Sequence, residues 1–169
     1  MNRKVTHYLA AGALSLVASV ASADSQSANL GVSASVSNNC TISTVAVAFG
    51  PYDPIVTNKT TPLDDSTGTV TITCTQGTTA TIALDEGANN ASATGTTRAL
   101  TDGSSNYLNY ELYQDSSHTT VWNDTTNLLE PPAAPSSAAR NFTVYGRIPA
   151  GQDVPEGTYN DTVVATVNF

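Results

Sequence analysis

The sequence predicts an all-β fold, and three observations support this prediction. Runs in which apolar residues alternate with small or polar ones recur along the chain, and a period of two is that of a strand with one buried face. Thr, Val and Ile are abundant in these runs, and their branched side chains suit a pleated sheet better than a helix. After residue 23, no segment sustains the i, i+3, i+4 apolar pattern of a helix.

The strand-like runs follow one another in short segments separated by Gly and Pro. Their inward-facing residues are predicted to be Val45, Val47 and Phe49; Val70, Ile72 and Cys74; Ala80, Ile82 and Leu84; Leu108, Tyr110 and Leu112; Phe142, Val144 and Gly146; and Val163, Ala165, Val167 and Phe169. Many short strands at this spacing are typical of an antiparallel β-sandwich of the immunoglobulin-like type.

Two segments lack the strand pattern. Residues 86–103 are rich in Ala, Asn, Thr and Gly, and we expect a long, mobile connection there. Residues 129–139 are rich in Pro, Ala and Ser, and we expect an extended surface loop. The chain of about 146 residues after the predicted cleavage site suits one domain and is long enough to bury a core, and it contains no internal repeat.

The first 23 residues have the features of a secretory signal peptide. Arg3, Lys4 and His7 precede an apolar run over residues 8–20, and a small-residue site for cleavage after Ala23 follows. The apolar run is short for a membrane span, so we favour a cleaved signal peptide over a retained anchor. The sequence therefore predicts export, with the folded part starting near Asp24.

Charge and histidine content argue against several classes of function. The full chain has a formal charge of −8, and removal of Arg3 and Lys4 makes it more acidic. Nucleic acids and anionic membranes are bound through Lys and Arg clusters, so we expect neither as a partner. His118 is the single histidine after residue 23, and we expect it to lie in an exposed turn, where it gives no base for a nucleophile. We expect no enzyme activity, no metal and no cofactor.

The two cysteines, Cys40 and Cys74, lie in the part of the chain predicted to be exported. An even count in an oxidising compartment predicts one disulfide. Cys74 ends the run that contains Val70 and Ile72, so its sulfur is expected to face the core. Closing a loop of this length stabilises a fold by about 3–4 kcal/mol in the chain-entropy model.

One further run, residues 28–36, has a strand period but no partner in its own neighbourhood. No turn signal ties it into a hairpin, so it requires a sheet edge that another molecule can supply. The last run extends to Phe169, which leaves no residues for a further strand at that end. The apolar face of the unpartnered run consists of Ala28, Leu30, Val32, Ala34 and Val36.

A series of motifs resembles the spore coat protein U domain family, which includes pilin subunits of archaic chaperone–usher pili. The motifs occur in order over essentially the whole exported chain. Trp122-Asn123 replaces a Trp-Gly pair common in the family, and the Pro/Ala-rich loop looks peculiar to this chain. The motifs are residues 39–42, 49–54, 70–74, 108–113, 121–122, 145–152, 157–162 and 167–169.

The resemblance implies an incomplete sandwich that lacks its last strand and is completed by donor-strand complementation. A periplasmic chaperone first lends a strand, and the N-terminal extension of the next subunit replaces it at the outer-membrane usher. The implied organisation is a signal peptide (1–23), a donor-strand extension (24–38) and a sandwich domain (39–169). The implied donor residues are Ala28, Leu30, Val32, Ala34 and Val36. The implied acceptor groove is lined by Val163, Ala165, Val167 and Phe169.

The leading hypothesis is therefore a structural subunit of a surface pilus that supports adhesion or biofilm formation. A spore or cell-surface coat protein that forms no pilus is one alternative. A secreted carbohydrate-binding module that uses Trp122 and nearby tyrosines is another, although Trp122 is expected to lie in the core or at its rim. The tyrosines in question are Tyr107, Tyr110 and Tyr113.

Overall fold

The computed structural model describes residues 22–169. Residues 1–21 of the predicted signal peptide lie outside this range. Residues 22–35 form one unit of the described chain, contain no helix or strand and have exposed side chains. Val36–Phe169 form the second unit, the folded domain. Within residues 22–169, no helix has the length and apolar character that a bilayer crossing requires.

The domain consists of two antiparallel sheets. The larger has five strands in the order β1-β2-β6-β5-β4, and the smaller pairs β3 with β7. The predicted all-β, immunoglobulin-like class is confirmed. The described strands are β1 (Cys40–Val45), β2 (Leu63–Cys74), β3 (Thr81–Leu84), β4 (Arg98–Thr101), β5 (Tyr107–Tyr113), β6 (Arg140–Ile148) and β7 (Ala165–Asn168), with a short 3₁₀ helix at Asn90–Ser92.

The inward faces of β2, β3, β5 and β6 form the core as the alternation predicts. Trp122 is fully buried, and its indole N–H donates to the carbonyl of Ile82 at 2.9 Å. The predicted disulfide is confirmed: Cys40 and Cys74 are bonded and are paired residues of β1 and β2. The buried residues of these strands include Val70, Ile72, Cys74, Ile82, Leu84, Leu108, Tyr110, Leu112, Val144 and Ile148.

The predicted strand around Val45, Val47 and Phe49 is wrong in its position. β1 ends at Val45, and residues 46–50 belong to no strand. The inward direction of Val47 and Phe49 is nevertheless correct, because both pack against the core. The chain here leaves the edge of β2 and crosses the inner face of the larger sheet.

Two buried glycines make this crossing sterically possible. A Cβ on Gly68 of β2 would lie 2.7 Å from the carbonyl oxygen of Val45, and 2.7 Å from a methyl carbon of Val47. A Cβ on Gly146 of β6 would lie 2.7 Å from the ring of Phe49. Since real Cβ atoms do not approach other atoms so closely, residues 45–49 depend on both positions lacking a side chain.

The expected mobile connection over residues 86–103 is also wrong. It contains the 3₁₀ helix and β4, and β4 pairs with β5 from Arg98 opposite Tyr110 to Thr101 opposite Tyr107. Arg98 is fully buried and forms an ion pair with Glu111, which is 4% exposed. The sequence around Arg98 lacks the alternation of a strand, because a buried arginine stands among polar residues. The strand conformation of β4 therefore depends on tertiary contacts.

Arg98 also connects the two sheets. Its guanidinium donates to the carbonyls of Leu84 at 3.1 Å and Asp85 at 2.7 Å, where β3 ends. It donates to the carbonyl of Trp122 at 2.8 Å. Glu111 in turn accepts from the amide of Thr97 at 2.9 Å, so both charges are hydrogen-bonded on several sides.

Two smaller predictions need correction. The Pro/Ala-rich segment is extended, but it is not wholly a surface loop: Leu129 exchanges backbone hydrogen bonds with Ile82, and Ala134 is 2% exposed. His118 is half-buried, not exposed. Its ring packs edge-on against Tyr113 and lies 3.3 Å from a guanidinium nitrogen of Arg147.

Replacing Gly68 by Ala should displace residues 45–49 and destabilise the domain by about 1–3 kcal/mol, because the new methyl overlaps backbone atoms. Gly50→Ala is the matched control, since its Cβ would meet nothing within 4 Å. Urea unfolding followed by fluorescence of Trp122 measures both. Equal stability of the two variants would contradict the steric argument.

Replacing Arg98 by Met should destabilise the domain by about 3–5 kcal/mol, because Glu111 is left as a buried charge without its cation. The double variant Arg98→Met/Glu111→Leu should recover part of this loss. Urea unfolding of both single variants and the double variant gives the coupling energy. If the double variant is no more stable than Arg98→Met, the unpaired carboxylate of Glu111 is not the cause of the destabilisation.

Candidate functional site

An open groove lies at the end of the domain beyond Val45, with a volume of about 850 Å³. Residues 46–54 form one wall and residues 154–161 form the other. Leu108 and Ile148, which are buried core residues, lie at its base, together with the half-buried Leu100. The groove therefore exposes part of the hydrophobic core through a gap between two stretches of chain.

Part of the first wall has unpaired backbone, whereas Asn160 of the second wall exchanges two backbone hydrogen bonds with Thr101. In the part of the chain that the structure describes, residues 47–52 form no backbone-to-backbone hydrogen bond. β7 is paired with β3 along one edge, and within the same range its other edge has no hydrogen-bonded strand. β1 lies beside β7 but does not pair with it. Unpaired N–H and C=O groups at both sides are what an added strand requires.

The four residues predicted to line an acceptor groove have different environments. Val163, Ala165 and Val167 are half-buried and pack against the core. Phe169 is 55% exposed. The 850 Å³ cavity is lined by the residues that precede β7 and not by these four.

Most of the groove was not predicted from the sequence. The walls of the groove contain the family motif at residues 49–54 and most of the motif at residues 157–162. Both motifs are rich in aromatic and turn-forming residues, and this shared composition was the signal in the sequence that could have placed them at one site. The side chains that line the groove, and that were not predicted from the sequence to do so, include Val47, Phe49, Tyr52, Val154 and Tyr159.

The wall at residues 154–161 is bonded to β5 through Tyr110 and Asp161. The hydroxyl of Tyr110 donates to Oδ2 of Asp161 at 2.8 Å, and Oδ1 accepts from the amide of Ala88 at 3.0 Å. Gly87, with φ of +78°, has no side chain where the Asp161 carboxylate lies. Burial, followed by the hydrogen bond to Asp161, raises the pKa of the Tyr110 hydroxyl well above its usual value.

The wall at residues 46–54 is fastened at two points. The ring of Phe49 packs edge-on against Tyr110, with centroids 5.9 Å apart. The hydroxyl of Tyr52 donates to the carbonyl of Pro149 at 2.9 Å and accepts from the amide of Gln152 at 3.1 Å. Both walls are therefore held in place by contacts with the core, and the second wall is also bonded to β4 through Asn160 and Thr101.

The N-terminal segment has the opposite character to the groove. Leu30 is 88% exposed, Val32 is 89% exposed and Val36 is 86% exposed, and Ala28 and Ala34 are also exposed. The segment is in no strand. Exposure of several large apolar side chains within one short segment is typical of a surface that is buried by a partner.

Other kinds of site find little support among the described residues. No three His, Cys, Asp or Glu side chains within residues 22–169 gather in a way that could hold a metal ion. Trp122 is fully buried, so it cannot serve as a platform for a sugar. The carbohydrate-binding alternative therefore loses its principal residue.

Comparison with known proteins identifies the class. The Spore Coat Protein U domain model matches residues 26–166, so this chain belongs to that family. The chain is 40% identical over 167 residues to Protein U of Myxococcus xanthus, and the match covers 93% of both sequences.

Among solved structures, the fold is similar to a chain in the CsuC–CsuE chaperone–tip adhesion subunit pre-assembly complex from archaic chaperone–usher Csu pili of Acinetobacter baumannii. The TM-score is 0.55 and the sequence identity is 23%. The match covers 79% of this chain and 40% of that one, so this protein spans about two fifths of its length. The likeness concerns the fold.

Replacing Tyr110 by Phe should cost about 1–3 kcal/mol near neutral pH, through loss of the hydrogen bond to Asp161. The folded-state pKa of Tyr110 lies above the unfolded value of 10.0. The contribution of the neutral hydroxyl is therefore complete below pH 10 and is lost as the pH rises further.

The stability difference between wild type and Tyr110→Phe should accordingly shrink above pH 10, by up to about 1.4 kcal/mol per pH unit. Urea unfolding of both proteins between about pH 8 and pH 11 measures this difference. A difference that stays constant over this range would show that Tyr110 ionises as an unburied tyrosine does.

Proposed function

We propose that this protein is the structural subunit of a secreted surface fibre of the archaic chaperone–usher type, assembled by donor-strand complementation. The observation that carries the proposal is a pair of complementary features in one chain. The domain has a groove with an open core and unpaired backbone. The N-terminal segment has an exposed apolar face with a strand period. One copy therefore offers what the next copy lacks.

The energetics suit a stable joint between copies. Burial of a Leu or Val side chain contributes about 1.5–3 kcal/mol, so Leu30, Val32 and Val36 together supply roughly 5–8 kcal/mol. Ala28 and Ala34 add less. Ladder hydrogen bonds to residues 47–52 and to the free edge of β7 fix the register and satisfy the open backbone.

In this proposal the acceptor groove has two parts. The described cavity between residues 46–54 and 154–161 forms the wide end, where the larger donor side chains fit. Val163, Ala165, Val167 and Phe169 extend the groove along β7, and the donor strand covers the exposed ring of Phe169. The domain boundaries that follow are a signal peptide (1–23), a donor extension (24–38) and an acceptor domain (39–169).

The proposed partners follow from the open groove. Before assembly, a periplasmic chaperone fills the groove, and at an outer-membrane usher the donor segment of the next subunit replaces it. The similar solved structure is a chaperone–subunit pre-assembly complex, which supports a chaperone as the first partner. The fibre then lies on the cell surface and supports adhesion or biofilm formation.

A coat protein that forms no pilus is the second candidate, favoured by the family's description and by the near full-length match to Protein U. The same groove and segment would then join copies within a coat. Electron microscopy of producing cells distinguishes thin fibres from a continuous layer.

The donor strand is tested by a matched pair of substitutions. Val32→Asp places a carboxylate on the apolar face and should reduce polymer by more than about tenfold, because an unpaired charge is costly in an apolar groove. Ser33→Asp places the same charge on the opposite face and should leave polymer formation nearly unchanged. Heat-sensitive ladders on unboiled gels report polymer from cells that produce the chaperone and usher.

Deletion of residues 24–37 is the companion experiment. The shortened protein should still be exported and bind its chaperone, yet form no polymer. Undiminished ladders from the deletion, or equal loss from Val32→Asp and Ser33→Asp, would refute donation by this segment.

A further inference from the structure

Two threonines hold the short joint between the apolar segment and β1. We define the joint as residues 37–39. The amide of Asn39 donates to the hydroxyl of Thr75 at 3.2 Å, and this hydroxyl donates to the carbonyl of Ser37 at 3.2 Å. The amide of Thr75 donates to the carbonyl of Asn39 at 2.9 Å. The joint therefore continues the antiparallel pairing of β1 with β2 beyond Cys40 and Cys74.

The second threonine lies in a supported turn. Thr78 is 1% exposed, and its hydroxyl lies 3.4 Å from the side-chain oxygen of Asn38. The amide of Ala134 donates to the carbonyl of Thr78 at 2.9 Å, and the amide of Gly77 donates to the carbonyl of Ala134 at 2.8 Å. The Pro/Ala-rich segment thus supports the turn through two backbone hydrogen bonds of Ala134.

The position of the joint matters because the same chain carries both a donor segment and a groove. The joint lies at the Cys40 end of β1, whereas the groove opens beyond the Val45 end. To fill its own groove, a copy would have to reverse direction just before β1. Asn38 and Asn39 would suit a two-residue reversal, since Asn tolerates the left-handed conformation that hairpin turns require. The contacts with Thr75 and Thr78 hold these residues out of such a turn.

We infer that Thr75 and Thr78, supported by Ala134, are positioning residues that favour donation of the segment to a second copy over closure on its own domain. This inference rests on the proposed function. The hydroxyl contacts are modest individually, but closure must break all of them at once. We call Thr75 and Thr78, with their contacts to residues 37–39, the clamp. The clamp favours the head-to-tail polymer over the closed monomer without contacting the groove.

The test is refolding of the full exported chain, with its disulfide intact, at low micromolar concentration. Size-exclusion chromatography separates monomer from polymer, and hydrogen exchange of residues 28–36 distinguishes open from closed monomers. Wild-type monomers should exchange these amides without protection. The Thr75→Val/Thr78→Val variant should yield about tenfold more protected monomer, with a matching loss of polymer. If the double variant does not refold, Thr75→Val alone should show a smaller increase.

Matched variants separate the clamp from general stability. Thr75→Ser keeps the hydroxyl and should behave as wild type. Thr71→Val removes another hydroxyl of β2, which donates to the side-chain oxygen of Asn141 at 2.9 Å and makes no contact with the joint. This variant should also behave as wild type. Protected wild-type monomers, or no increase in the Val variants, would overturn the clamp.

A synthetic peptide of residues 24–38 separates this outcome from failure of the proposed function. Stabilisation of the chain lacking residues 24–37 by the peptide shows that the groove accepts the segment, whichever way the clamp experiment turns out. No stabilisation by the peptide would overturn both the donor-strand proposal and the clamp.

Discussion

The buried guanidinium of Arg98 holds the two sheets together. The smaller sheet has two strands, and a two-stranded sheet is marginal in water without support. Arg98 supplies that support by binding the carbonyls at the end of β3, while Glu111 on β5 compensates its charge. β7 pairs with β3, and the second wall of the groove, residues 154–161, precedes β7 in the chain. The Arg98–Glu111 ion pair thus links β5 to the sheet that contains β7.

The open part of the core is bordered by two walls that contacts with the domain hold in position. Phe49 packs against the ring of Tyr110, and Asp161 accepts a hydrogen bond from the Tyr110 hydroxyl. A single side chain of β5 therefore contacts both walls. Tyr52 fixes the far end of the first wall to Pro149. Both walls of the groove are therefore held by contacts within the domain.

Local patterns in the sequence predicted the strands that pair and bury in the ordinary way. The alternation in β2, β5 and β6, the disulfide and the burial of Trp122 needed no tertiary information. β4 was missed because burial of Arg98 depends on partners 13 to 24 residues away. The crossing at residues 45–49 was missed because Gly68 and Gly146 create it from other strands. The groove walls are likewise brought together only by folding.

The disulfide has a mechanical consequence in a fibre of the proposed kind. Tension would enter each domain through residues 37–39 and reach Cys40 first, before any other residue of β1. The bond to Cys74 then passes the load covalently to β2, which lies between β1 and β6 in the larger sheet. The hydrogen bonds between β1 and β2 are spared, so β1 cannot be peeled from the sheet one pair at a time.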